Sequence, residues 1–295
     1  EKTACHSCKR TERIMEYVKL RNGVEMPRIG LGTWQITDRV QMAEIVESAY
    51  QSGYRLIDTA AAYSNEIALA KALAAAEIKR TEMFLSDKVW NTSRGAAAVQ
   101  EACRKSLKKL KTEYLDLYLI HWPASMKLYP DWAEINADTW RGMEQLYKDG
   151  LVRAIGVCNF KEHHLTELEK TAEIMPMVNQ VELHPGLNQS EILSYCKTRN
   201  IQVEASSPLG NGQILSNEKL VEIANRKGKT PAQICLRWEL QKGIVAIPKT
   251  TAKDRLVQNI EVFNFTLNED EMEVMDAIPY CGGIGIDPDE VVDFG

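Results

Sequence analysis

Residues 55–66 read RLIDTAAAYSNE and contain one complete unit of the pattern that decides the fold. The apolar run that ends at Asp58 predicts a short buried strand, and Asn65 and Glu66 begin an amphipathic stretch that predicts a helix. The same alternation continues outward in both directions. It predicts strands at 29–33, 55–58, 83–87, 115–120, 152–157, 177–182, 201–205 and 244–247, and helices at 39–51, 66–79, 94–110 and 137–149.

Eight strand–helix units without a break in composition favour a parallel α/β fold, and eight parallel strands are the number that closes a barrel. An open doubly wound sheet is the alternative. Gly30 and Gly32 begin its dinucleotide fingerprint, but the third glycine is missing, and GKT at 228–230 lacks the upstream glycine of a phosphate loop. We therefore predict an α/β fold of the (β/α)8 TIM barrel type.

Both ends of the chain differ from the repeating units. Residues 1–16 are predicted to be an N-terminal extension, and residues 17–295 a single barrel domain. Within 17–29, Asn22 and Gly23 predict a tight type I′ β-hairpin that covers one end of the barrel. The glycine- and proline-rich residues after 278 predict a short C-terminal tail.

The composition excludes several classes of protein. A net charge of -5 argues against a nucleic-acid partner, and no apolar run is long enough to predict a membrane span. Seven scattered cysteines suit reduced thiols and a cytoplasmic location. Cys5 and Cys8 form a CxxC pair, but a zinc site needs about four ligands, and no second pair follows, so no metal is predicted.

Four polar side chains lie at or just after predicted strand ends: Asp58, Tyr63, Lys88 in MFLSDKVW (83–90) and His121 in LYLIHWP (117–123). Because parallel strand ends meet on one face of a barrel, we expect these groups to cluster. A phenol has a pKa of about 10, which a neighbouring ammonium would lower toward the working range. Such a cluster suits protonation of a carbonyl oxygen while its carbon accepts a hydride.

Taken one at a time, these residues have ordinary structural roles. Asp58 could cap the following helix, Tyr63 could be half-buried, Lys88 could be solvated and His121 could be a core histidine. It is their combination at successive strand ends that favours a catalytic site.

At this point the chain closely resembles the aldo-keto reductase superfamily from about residue 17 to 295, in particular its short-tailed microbial members that reduce aldehydes and keto-sugars. The resemblance rests on GLGTW (30–34), DTAAAYSNE (58–66), LIHWP (119–123), GVCNF (156–160), NQVELHP (179–185), SSPLG (206–210) and IPKTTAKDRLVQN (247–259). It implies that Tyr63 is the general acid in carbonyl reduction. Lys88 and His121 would assist Tyr63, and Asp58 would support Lys88.

The resemblance also implies an NADPH site. Asn159 and Gln180 match the side chains that hold the nicotinamide carboxamide, and Lys249, Thr250 and Arg255 match the groups around the adenosine 2′-phosphate. A lysine and a forked arginine suit a dianionic phosphate. The other implied cofactor contacts are Thr33, Asp58, Ser206, Ser207, Leu209, Gly210, Gln258 and Asn259.

Two positions depart from the family pattern. Ser206 stands where an aromatic residue usually stacks on the nicotinamide, and Cys158 replaces a serine. Losing the stacking face is expected to cost about 1 kcal/mol.

The substrate pocket is the least determined part of the predicted site. Its predicted walls are Trp34, Trp90 and Trp122, and His121 is predicted to line the pocket as well. The short tail predicts an open pocket for small carbonyl compounds. No role is assigned to His163, His164 or His184, and the family resemblance implies a monomer.

Two other functions remain open from the residues alone. A non-catalytic protein that binds cofactor on the same scaffold is favoured by Ser206, but it has no need of a proton donor. An aldolase that forms a Schiff base on Lys88 is the second alternative.

Overall fold

A computed structural model describes residues 15–291. The predicted CxxC pair and most of the predicted N-terminal extension lie outside the described residues, as do residues 292–295. Two strands form an antiparallel hairpin and eight form one parallel sheet. The strands are β1 (Tyr17–Lys19), β2 (Glu25–Pro27), β3 (Leu31–Gly32), β4 (Leu56–Asp58), β5 (Phe84–Val89), β6 (Leu117–Ile120), β7 (Ile155–Cys158), β8 (Val178–Glu182), β9 (Gln202–Ser206) and β10 (Val245–Ala246).

The parallel sheet follows chain order from β3 to β10 and closes on itself. Ile29 forms a parallel bridge with Ala246, and the Gly30 N–H donates to the Ala246 carbonyl at 2.9 Å. A Cβ on Gly30 would lie 1.9 Å from the Leu56 side chain, so Leu56 would have to move to admit a larger residue. The predicted (β/α)8 barrel is confirmed, with every predicted strand present.

Helices surround the barrel. They are α1 (Arg39–Ser52), α2 (Glu66–Ala75), α3 (Ala96–Leu110), α4 (Trp132–Lys148), α5 (Glu162–Glu169), α6 (Ser190–Thr198), α7 (Glu218–Lys227), α8 (Pro231–Gln241), α9 (Lys253–Ile260) and α10 (Glu269–Asp276). The GKT segment separates α7 from α8: Gly228 ends α7 in the left-handed region, and Thr230 caps α8 through a capping box with Gln233. No described helix is long and apolar enough to cross a membrane.

The hairpin is present, but the predicted type I′ turn is wrong. A type I′ turn needs positive φ at both central residues, and only Gly23, with φ of 88°, has it. The Gly23 N–H donates to the Leu20 carbonyl and the Leu20 N–H to the Val24 carbonyl, both at 2.8 Å. The loop is therefore the three-residue form that ends in a left-handed glycine. Asn22 instead accepts from the Val24 N–H and donates to the Arg153 carbonyl.

Glu16, the last residue of the predicted extension, contacts Arg28, which directly follows the hairpin. Its carboxylate pairs with Arg28 at 2.8 Å, and its carbonyl accepts from the Arg28 N–H. Residues 15 and 16 thus lie against the hairpin, so the predicted extension includes two residues that belong with it.

Candidate active site

The centre of the site is a buried ion pair between β4 and β5. Asp58 ends β4, and Lys88 lies in β5, in which all six residues are buried. The fully buried Lys88 ammonium donates to Asp58 Oδ2 at 2.5 Å and to the Thr59 carbonyl at 3.0 Å. The predicted support of Lys88 by Asp58 is therefore present in the geometry.

Tyr63 and His121 lie beside this pair. Tyr63 belongs to a single 3₁₀ turn after β4, and its ring centroid is 5.3 Å from Lys88 Nζ. His121 follows β6 and packs its edge against Tyr63, with centroids 5.7 Å apart. Trp90 makes an edge contact with His121 at 5.1 Å, and Trp122 lies parallel to it at 6.5 Å. Of the predicted pocket walls, these two tryptophans pack on His121. Asp58, Tyr63, Lys88 and His121 are called the tetrad below.

Charge states in the site follow from burial and from the ion pair. Burial lowers the pKa of Lys88, but the Asp58 carboxylate raises it by more than burial lowers it. The net pKa of Lys88 therefore lies above the ordinary 10.5. Burial, assisted by the Lys88 charge, holds the pKa of His121 well below 6.5, so the ring is neutral. A neutral imidazole carries one N–H and can donate it to a carbonyl oxygen.

The expected lowering of the Tyr63 pKa needs correction. Lys88 does act in that direction, but burial is the larger effect and raises the net pKa above its usual value. Tyr63 is therefore a protonated phenol in this structure, with a cation beside it to stabilise the phenolate once the proton leaves.

The predicted carboxamide pair lies at the ends of β7 and β8. Asn159 has left-handed φ of 63°, and its amide nitrogen donates to the His121 carbonyl at 2.9 Å. Cys158 accepts a longer contact from the same nitrogen at 3.2 Å and points its thiol at Gln180 Oε1, 3.6 Å away. The serine-to-cysteine departure thus leaves a weak donor on the Gln180 oxygen.

Gln180 connects the Lys88–Asp58 ion pair to Glu204, a residue that was not predicted from the sequence. Its amide nitrogen donates to Asp58 Oδ1 at 3.2 Å and to Glu204 Oε2 at 2.7 Å. Glu204 is fully buried in β9, and its Oε1 has no hydrogen-bond partner among residues 15–291. A glutamate inside a strand carries no motif, so only the pairing of strands reveals it.

Of the two predicted site residues after β3, Thr33 is buried and contacts the tetrad, whereas Trp34 is exposed. The Thr33 hydroxyl and N–H both donate to the Asp58 carbonyl, at 2.9 and 3.1 Å, so Thr33 holds the end of β4. Trp34 is 43% exposed, and within the described chain its ring makes no aromatic contact with the tetrad. Trp34 remains a predicted wall at the rim.

The predicted pyrophosphate loop follows β9. Ser207 and Gly210 both have positive φ, 46° and 51°, so the chain turns sharply there. Ser206, Ser207 and Leu209 are partly exposed. A Cβ on Gly210 would lie 3.2 Å from the His184 ring, which packs beneath the loop. His184 therefore supports the turn, a role that the sequence analysis did not assign.

The predicted 2′-phosphate site lies after β10, around the start of α9. Lys249 and Arg255 are exposed, and neither has a carboxylate partner among residues 15–291. Thr250 and Asn259 are buried and Gln258 is exposed. Unpaired cations beside a helix N-terminus fit a phosphate, since backbone N–H groups and the helix dipole favour an anion there. The residues present therefore fit the predicted cofactor.

A cavity of about 280 Å³ lies at the barrel mouth. It is not lined by the four predicted catalytic side chains themselves, but two of its wall residues, Trp122 and Asn159, contact His121. Its walls come from the ends of β6, β7 and β8 and from the C-terminal segment, including Trp122, Asn159, Lys161, Glu182, Tyr280 and Ile286. The predicted short tail thus lies across the barrel mouth and lines one side of the cavity.

Two groups of contacts hold the C-terminal segment. Glu182 accepts from the Ile284 N–H at 2.6 Å and the Gly285 N–H at 3.4 Å. Lys161 donates to Asp287 at 2.5 Å and to Asp289 at 2.7 Å. None of these tail contacts was predicted from the sequence.

Asp289 also contacts His163 and His164, which lie in the first turn of α5. Its Oδ1 lies 2.8 Å from His163 Nε2 and 3.1 Å from His164 Nε2. Adjacent residues of a helix usually point to different faces, but these two ring centroids are only 4.0 Å apart. Three potential metal ligands therefore lie together. The Lys161 N–H donates to His164 Nδ1, so the proton of the neutral His164 ring is on Nε2, which lies 3.1 Å from Asp289 Oδ1 but has no hydrogen-bond partner among residues 15–291. A protonated Nε2 cannot bind a metal, and the hydrogen bonds of Lys161 and His163 to Asp289 hold the C-terminal segment.

Comparison with known proteins agrees with this fold. Residues 28–279 match the model of the Aldo/keto reductase family. The chain is 47% identical over 279 residues to a glyoxal reductase of Bacillus subtilis (strain 168), which covers 95% of this chain and 98% of the relative. It is 39% identical over 275 residues to the methylglyoxal reductase DkgA of Escherichia coli (strain K12), with 92% and 97% covered.

A solved structure with the same fold is a mutant of Gox0644 in complex with NADPH. It has a TM-score of 0.87 at 36% identity and covers 95% of this chain and 99% of its own. The chain therefore belongs to the aldo/keto reductase family, which is a family of oxidoreductases, as its motifs predicted.

Proposed function

We propose that the protein reduces small aldehydes and ketones, including dicarbonyls of the glyoxal type, with NADPH as the reductant and Tyr63 as the general acid. The observation that carries this proposal is the buried Lys88–Asp58 pair at 2.5 Å beside the Tyr63 ring. A binding protein gains nothing from a buried cation next to a phenol, because a buried pair contributes little net stability.

The proposed reduction needs a hydride for the carbonyl carbon and a proton for the carbonyl oxygen. Bound NADPH would supply the hydride to the carbonyl carbon. Tyr63 gives its proton to the carbonyl oxygen, Lys88 stabilises the phenolate that remains, and the neutral His121 ring donates a hydrogen bond that orients the substrate oxygen. Tyr63 is partly exposed, so solvent can return the proton afterwards.

The class of substrate is supported by the relatives. Reductases of glyoxal and methylglyoxal are among the similar proteins. A Schiff base on Lys88 is disfavoured, because Asp58 keeps the amine protonated and therefore not nucleophilic.

The test is oxidation of NADPH against glyoxal, methylglyoxal and simple aldehydes, with Tyr63→Phe as the variant. We expect kcat to fall at least about 100-fold in Tyr63→Phe, the usual contribution of a general acid, while NADPH still binds. Tyr17→Phe is the matched control, because Tyr17 is an exposed phenol on the hairpin. Near-normal turnover in Tyr63→Phe would refute the acid assignment. Cofactor binding without turnover of any carbonyl by the unmodified protein would favour a non-catalytic role.

A further inference from the structure

Glu204 is a buried acid with no part in the tetrad or in the predicted cofactor contacts. It pairs in register with Gln180 of β8 and Val245 of β10, and its side chain is fully buried. A buried carboxyl group is costly unless it is hydrogen-bonded, yet within residues 15–291 only Oε2 has a partner, the Gln180 amide nitrogen at 2.7 Å. Glu204 therefore interacts with the site mainly through Gln180.

Two contacts orient the Gln180 amide. Its nitrogen lies between Asp58 Oδ1 at 3.2 Å and Glu204 Oε2 at 2.7 Å. The Asp58 carboxylate can only accept, and Glu204 accepts through Oε2, so the amide presents its two N–H groups to them and turns its oxygen away. On that side the recorded donor is the weak thiol of Cys158 at 3.6 Å. Gln180 Oε1 thus has capacity for a stronger donor.

We propose that Glu204 is a positioning residue for the cofactor: it holds the Gln180 amide so that Oε1 can accept from the N–H group of the nicotinamide carboxamide. This inference rests on the proposed function, because it assumes that nicotinamide occupies the site. Glu204 provides the shorter of the two contacts that orient the amide, and without it Asp58 alone would hold Gln180 through the 3.2 Å contact.

The charge of Glu204 is consistent with this role. Burial raises its pKa to about 8, and the nearby Asp58 charge adds to the effect. The other titratable groups facing it are Lys88 and Cys158. As a neutral acid, Glu204 can accept from Gln180 through a carbonyl oxygen without adding a second negative charge beside the Lys88–Asp58 pair. Glu204 thus orients the Gln180 amide without changing the net charge around the Lys88–Asp58 pair.

The experiment compares Glu204→Met, which is similar in size but cannot accept in the same way, with Glu204→Gln, whose carbonyl oxygen can. Dissociation constants for NADPH and NADH come from fluorescence titration. We expect Glu204→Met to raise both by about tenfold, or about 1.4 kcal/mol, because both cofactors carry the same nicotinamide. Glu204→Gln should remain within about twofold of wild type. Lys249→Ala is the contrasting control and should weaken NADPH more than NADH.

A double-mutant cycle separates positioning from a merely structural role. In a Gln180→Ala background, Glu204→Met should cause little further loss of cofactor affinity, because the group it acts through is gone. In kinetics, the cofactor KM should rise while kcat changes little. If Glu204→Met does not fold, as judged by circular dichroism, Glu204→Asp carries the same test, since the shorter acid cannot keep the 2.7 Å contact.

Unchanged affinity in a folded Glu204→Met, or an undiminished effect in the Gln180→Ala background, would overturn the inference. These outcomes differ from failure of the proposed function, in which wild-type protein binds neither NADPH nor NADH and both proposals are lost.

Discussion

Asp58→Asn tests the ion pair at the centre of the site. The Lys88 ammonium is fully buried, and apart from Asp58 its recorded partner is the Thr59 carbonyl at 3.0 Å. Removing the negative charge leaves a buried cation that one neutral carbonyl cannot compensate. Breaking one partner of a buried pair costs about 3–5 kcal/mol, and we expect the free energy of unfolding of Asp58→Asn to fall by that amount near neutral pH.

The pH dependence of this loss has a definite sign. In the wild-type protein the pKa of Lys88 lies above its ordinary 10.5, so the pair is fully formed below that pH. In Asp58→Asn the effect of burial remains without the opposing carboxylate, and the folded pKa drops below the unfolded one. Between those two values the unfolded chain binds more protons, so the stability of the variant rises with pH. The deficit relative to wild type should therefore shrink as the pH rises toward about 10.

Urea unfolding followed by circular dichroism at about pH 6, 8 and 9.5 measures the deficit. Glu173→Gln is the control, because Glu173 pairs with Lys148 at 2.6 Å on the surface and its loss should change little. A deficit below about 1 kcal/mol at every pH, or one that grows with pH, would refute the account of a buried pair that needs both charges.

Three further predictions concern single positions around the site. Ser206→Tyr should lower the dissociation constant of NADPH by about 2- to 10-fold, the value of one aromatic contact; an unchanged value in fluorescence titration would mean that another side chain already stacks. Glu204→Gln should flatten the pH dependence of stability. Because the Glu204 pKa is raised from 4.5 to about 8, the free energy of unfolding of the wild-type protein falls as pH rises between those values, by at most about 5 kcal/mol. Urea unfolding of the variant should lack the part of the slope that Glu204 causes. Asp289→Asn should speed hydrogen exchange at Ile284 and Gly285, because Asp289 then binds Lys161 more weakly; unchanged exchange at both amides would show that Glu182 and the Lys161–Asp287 pair hold the segment without Asp289.

The parallel strands were predictable where they are short apolar runs buried on both faces, as in β6 (LYLI), because such runs are typical of parallel strands. In β5 all six residues are buried, although three of them are polar. Local detail was less predictable. Helix α4 begins at Trp132, before the predicted 137, and the Asn22–Gly23 turn has only one residue with positive φ. Turn type depends on how the loop fits its neighbours, and here the Asn22 amide is drawn to the Arg153 carbonyl.

The tetrad was predictable because each member sits in a local motif at the end of a strand. Contacts between distant segments were not. Lys161 and Asp289 are 128 residues apart, and Gln180 and Asp58 are 122 apart. Nothing local marks Glu204, Glu182 or the α5 histidines, because their importance comes from neighbours that only the closed barrel and the returning tail provide.

The charge balance of the site explains how its residues act together. Asp58 and Lys88 cancel, and burial keeps His121 uncharged. Proton donation by Tyr63 therefore changes the net charge of the tetrad by one, and within the tetrad Lys88 is the cation that can compensate it. A second ionised acid beside Asp58 would compete with the phenolate for the Lys88 charge and so oppose proton donation. A neutral Glu204 avoids that competition while still orienting Gln180, which is why an acid can lie so close to the catalytic pair without weakening it.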